Sequence, residues 1–156
     1  MTPAQHELLE ELQTFASSAL NAQALMEHIC KRLHEKMTRY NWVGFYLVDP
    51  ADPNYLIVGP FTGSFTPNTR FPLNVGLCGA AATSGKVVIV QDVTKDVRYL
   101  AGSSLVKSEI VVPIHVNKKV AAELDIESYF ADTFTAQEQN FIEACAKVLG
   151  DYLAKA

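Results

Sequence analysis

Apolar residues recur at helical spacing near the start of the chain, at Leu8, Leu9, Leu12, Phe15 and Leu20, and predict a helix over residues 3–19. Thr2 before Pro3 supplies an N-cap followed by proline at the first helical position. A second stripe, Leu25, Met26, Ile29, Cys30 and Leu33, predicts a helix over 21–39 capped by Asn21. Its basic residues gather toward the C-terminal end, where the helix dipole favours them. The period then falls to two. The aromatic and β-branched run 42–48 predicts a strand, 49–54 a turn and 55–60 the returning strand. Residues 61–70 read as loop, 70–73 as a short strand, 77–84 as a helix and 87–91 as another strand. A polar connection over 92–107 follows. Strands over 109–116 and 119–127 form a hairpin about Asn117 and Lys118. Thr135 with Glu138 matches a capping box that opens a last helix to about residue 154. The order predicts one α+β domain: an antiparallel sheet with the terminal helices on one face and shorter elements on the other. Its parts are N-terminal helices over 1–39, sheet and pocket over 40–134, and a C-terminal helix over 135–156.

Composition narrows the function classes. The 156 residues fit a single domain, and 49% apolar with 19% charged residues is ordinary globular usage. A net charge of −4 argues against nucleic acid or an anionic membrane as partner. No apolar run approaches a membrane span, and the first residues lack a signal-peptide pattern, so the expected location is cytoplasmic. Cys30, Cys78 and Cys145 are far apart and odd in number, which excludes a disulfide framework and any C-x-x-C spacing. The four histidines form no ligand pair, so neither metal nor cofactor is expected.

Alternation sorts the candidate chemistry. On 42–48, Val43, Phe45 and Leu47 share the face that must meet the terminal helices, while Trp42, Gly44 and Tyr46 share the other. On the last strand Glu123, Asp125 and Glu127 share a face. That acidic face has two readings, a solvated rim or a site for a cationic group. Alternation alone favours the rim, the usual place of strand carboxylates. Glu109 reads as the exposed end of an apolar strand, His115 as a hairpin-tip surface residue, and Cys30 and Cys145 as inert core thiols. Cys78, in Val75-Gly76-Leu77-Cys78-Gly79, sits where a helix opens, and the dipole there favours thiolate. Packing alone would also suit a small cysteine at that turn.

Several blocks, in order over about residues 37–141, resemble GAF domains, and among them the free methionine-(R)-sulfoxide reductase subgroup. They are Asn41-Trp42-Val43-Gly44-Phe45-Tyr46-Leu47, Val58-Gly59-Pro60-Phe61, the Cys78 turn, Gln91-Asp92-Val93, Ser108-Glu109-Ile110-Val111-Val112-Pro113-Ile114 and Leu124-Asp125-Ile126-Glu127-Ser128. The resemblance implies a three-layer α/β/α fold with a ligand cavity on the face away from the terminal helices. It implies that Trp42 and Tyr46 wall the substrate's methyl sulfoxide end, while Glu109, Asp125 and Glu127 hold its amine and sulfoxide oxygen. It also implies a mechanism in which a cysteine thiolate attacks the sulfoxide sulfur, methionine leaves, and a second cysteine resolves the sulfenic acid. The attacking cysteine's position is Gly102 here, and a further cysteine's position is Asn68. Only Cys78 remains, at a recycling position, and Glu127 and Glu123 replace the family's usual aspartate and apolar residue. The expectation is therefore a binding module for an amine-bearing ligand such as a free amino acid, with reductase chemistry lost. The alternatives are a reductase working through Cys78 and external thiol, and a ligand-free domain that dimerises through its first helix. A homodimer is expected in any case. No Cys-His dipeptide suits a tetrapyrrole, and pocket acids would repel the phosphate of a cyclic nucleotide.

Overall fold

A computed structural model of the chain describes residues 1–100 and 102–156. Two helices, α1 (Pro3–Ser17) and α2 (Ala22–Lys36), lead into β1 (Trp42–Val48), β2 (Tyr55–Gly63) and β3 (Arg70–Pro72). Then come α3 (Gly76–Ser84), β4 (Val88–Val90), a single 3-10 turn (Val93–Lys95), β5 (Ser108–Val116), β6 (Lys119–Ser128) and α4 (Ala136–Lys155). The six strands form one sheet in the order β3-β2-β1-β6-β5-β4, antiparallel throughout. This is the expected α+β class. The hairpin between β5 and β6 turns on Asn117 and Lys118, both left-handed at φ 52° and 66°, as a two-residue connection requires.

Local differences have local causes. α1 ends at Ser17, so Leu20 is not part of its stripe and stands 89% exposed. β2 runs on through Gly63 rather than breaking at residue 60, because Phe61, Thr62 and Gly63 pair with Gly44, Val43 and Trp42 of β1. Thr2 and Gln5 cap α1 reciprocally, with backbone-to-side-chain bonds of 3.1 and 2.9 Å. The box expected at α4 is only half formed. Thr135 accepts from the Glu138 amide at 3.3 Å, but the Glu138 carboxylate turns away and accepts from the buried Tyr40 hydroxyl and from Gln5. That bond ties the approach to β1 to α1 and α4. Tyr40→Phe is expected to cost about 1.5–3 kcal/mol, the usual loss for a hydrogen bond to a charged group. A denaturation midpoint that falls at unchanged slope is the readout; an unmoved midpoint would show that the bond contributes nothing net.

The two faces of the sheet carry separate cores. Val43 and Phe45 of β1, with Ile110, Val112 and Ile114 of β5 and Leu124 and Ile126 of β6, pack against α1, α2 and α4. Trp42 and Tyr46 pack on the opposite face with Val111, Leu77, Cys78 and Ala81, under α3. Among the described residues no helix is long and apolar enough to cross a membrane.

Candidate functional site

The site grows from the register of the three central strands. Trp42, Gly44 and Tyr46 of β1 stand opposite Glu127, Asp125 and Glu123 of β6, and Glu109 of β5 stands opposite Glu127. Period-two geometry therefore brings four carboxyls to the face that α3 covers. None of them is a rim residue. Glu123 is fully buried, Asp125 is 2% exposed, and Glu109 and Glu127 are 5% exposed. The solvated reading of the acidic row fails because β6 is an interior strand, flanked by β1 and β5 and roofed by α3. Glu109 is not an exposed strand end for a similar reason. β4 and β6 flank β5, and Ser108 beside it is held by a 2.6 Å bond to the Phe130 carbonyl.

Between this face, α3 and the loops lies a cleft walled by Tyr46, Phe65, Asn68, Cys78, Gly102, Glu109, Asp125 and Glu127, among others. Its cavity volume is about 20 Å³, enough for a water or an ion. Trp42, expected on the wall, stands behind it. The indole is fully buried, with Phe61 and Phe65 stacked against it at 5.5 and 5.6 Å between centroids. Phe65 takes the wall position because Gly102 leaves it room; a Cβ at Gly102 would lie 2.6 Å from the Phe65 ring. Phe65 falls in a polar loop, where no periodicity marks it, and only the glycine opposite could have pointed to it. Tyr99, from the 92–107 connection, brings its hydroxyl to 3.5 Å from Glu127.

Burial sets the electrostatics. It pushes the carboxyls of Glu109, Glu123 and Glu127 well above the usual range, and the neighbouring Asp125 charge adds to this. Burial pushes Asp125 up to about 6, while the neighbouring Glu109 and Cys78 side chains restrain the rise. The Cys78 thiol is also pushed up, first by burial and then by the Asp125 charge. The helix dipole does not make it a thiolate: it is the third residue of a nine-residue helix, buried against acids. Both oxygens of Glu123, Oδ1 of Asp125 and Nε1 of Trp42 find no hydrogen-bond partner among the described residues. The ligand atoms of Cys78, Glu109 and Asp125 lie within 4.8 Å of one another. Cys30 and Cys145 sit across the sheet in the helical core, away from this cleft, with thiols pushed up by burial.

The GAF domain family model matches residues 19–154. The chain is 35% identical over 130 residues to the free methionine-R-sulfoxide reductase of Saccharomyces cerevisiae, covering 83% of this chain and 70% of that one. It is 33% identical over 142 residues to GAF domain-containing protein A of Dictyostelium discoideum, covering 91% and 87%. Among solved structures, free methionine-R-sulfoxide reductase from Neisseria meningitidis in complex with its substrate matches with a TM-score of 0.91. The identity there is 30%, over 99% of this chain and 93% of that one.

Proposed function

The chain belongs to the GAF domain family, and we propose that its cleft holds a small amine-bearing ligand, such as a free amino acid, without reducing it. One observation carries this reading: three buried carboxyls, Glu109, Asp125 and Glu127, meet at a cleft whose other walls include Asn68 and Gly102, where a reductase would need thiols. Glu109, Asp125 and Glu127 neutralise the ligand ammonium, which makes a buried charge tolerable. Tyr46 and Phe65 meet its apolar part. A cavity of about 20 Å³ is too small for an amino acid, so uptake displaces wall residues. Phe65 and Leu100 come from loops and give way most cheaply.

Titration calorimetry on metal-free protein, with a panel of amino acids and simple amines, is the test. One ligand per chain is expected, weakened at least roughly tenfold by Asp125→Asn, in line with the usual loss on truncating one partner of a buried charge pair. Heat from no amino acid and no amine would remove the reading. A one-cysteine reductase using Cys78 is the second reading, supported by the Saccharomyces cerevisiae and Neisseria meningitidis relatives and by Cys78 on the cleft wall.

A further inference from the structure

We propose that the floor of the cleft binds a divalent cation of the zinc type through the Cys78 thiolate and the Glu109 and Asp125 carboxylates. These three groups already offer ligand atoms within 4.8 Å of one another. Ligands sharing one tetrahedral ion stand roughly 3.5 Å apart, given metal–sulfur and metal–oxygen bonds of about 2.3 and 2.0 Å. Closing onto an ion therefore needs only rotamer-scale movement. The second observation is independent of that clustering. Asp125 lines the cleft, is 2% exposed and keeps Oδ1 without a hydrogen-bond partner among the described residues. A buried carboxylate oxygen left without a donor is costly, and a cation at this position satisfies it.

Size and charge agree. The cavity of about 20 Å³ fits an ion without moving Phe65 or Leu100. Among the described residues no lysine, arginine or histidine lines the cleft, so nothing in the wall supplies positive charge. One soft sulfur with hard oxygens selects a borderline ion over magnesium or calcium, which prefer all-oxygen shells. The ligands come from α3, β5 and β6. No local spacing along the chain therefore announces them. This inference goes beyond amine binding: both occupants would use Glu109 and Asp125, so each is measured with the other absent.

The test is cobalt(II) titration of the native full chain after chelator treatment. One equivalent is expected, with a thiolate-to-cobalt charge-transfer band in the near ultraviolet and tetrahedral bands in the visible, all displaced by zinc. Cys78→Ser should lose the charge-transfer band, and Asp125→Asn should weaken cobalt binding by about 10–100-fold. A check that needs no buried substitution is alkylation of wild-type Cys78, which zinc should slow. No cobalt uptake, uptake without the thiolate band, or a band that survives Cys78→Ser would each overturn the site. Amine binding without cobalt binding refutes this site and leaves the amine reading intact; cobalt binding without amine binding does the reverse.

Discussion

Incubated with free methionine-(R)-sulfoxide and excess dithiothreitol, the protein is expected to form no methionine beyond what a Cys78→Ser variant forms. Reduction needs a thiolate that attacks the sulfoxide sulfur and takes the oxygen as a sulfenic acid, which dithiothreitol then returns to thiol and water. Nucleophilic cysteines are exposed and low in pKa. Cys78 is the opposite: 6% exposed, with its thiol pushed up by burial and by Asp125. The other cleft positions that matter for this chemistry hold Asn68 and Gly102, neither of which can carry the oxygen. Restoring a thiol by Gly102→Cys requires the Phe65 ring to shift, because the new Cβ would stand 2.6 Å from it, so Gly102→Cys with Phe65→Ala should help more than Gly102→Cys alone. Mass-spectrometric detection of methionine separates the readings. Product from the wild type above the Cys78→Ser control would establish a one-cysteine reductase and end the non-catalytic reading.

The second large effect is on stability. Glu123→Leu is expected to stabilise the metal-free protein by about 1–3 kcal/mol, the cost of an unsatisfied buried polar group, with a melting temperature higher by several degrees. The carboxyl is fully buried with no strong hydrogen-bond donor among the described residues, so an apolar side chain gives up at most a weak contact with the Cys78 thiol. The pH dependence has a fixed sign. Groups whose folded pKa is raised stabilise below their unfolded pKa and lose that contribution as pH rises through the folded value. Asp125 goes from an ordinary 3.8 to about 6, and Glu109, Glu123 and Glu127 lie well above 4.5. Stability should therefore decline from about pH 4 through 6 and on toward neutrality, and Glu123→Leu should flatten the decline. Glu11, Asp49, Asp92 and Asp96, lowered by hydrogen bonds, oppose this only in the acid range, and solvent screening keeps them small. Chemical denaturation across pH is the readout. A lower midpoint for Glu123→Leu, or stability that climbs steadily to neutral pH, would refute the account.

What the chain settled by itself is what short-range physics settles. Helical spacing placed α1, α2 and α4, Thr2 and Asn21 capped the first two, and alternation split Val43 and Phe45 from Trp42 and Tyr46. Alternation also put Glu123, Asp125 and Glu127 on one face. The resemblance to GAF domains, carried by motif blocks rather than by periodicity, placed that face against a cavity. Whether the face was wet or buried lay beyond any local pattern. It depends on a strand order that is not the chain order, with β6 inserted between β1 and β5, and on α3 lying across them. The same non-local packing decided Cys78. A helix dipole acts over one turn and was readable from the turn's residues, but desolvation depends on everything within reach, and here it outweighs the dipole. Phe65 on the wall, Trp42 behind it and a thiol beside three carboxyls follow from contacts between residues far apart in the chain. Those contacts form only when the sheet closes, which is why the tertiary structure alone decided them.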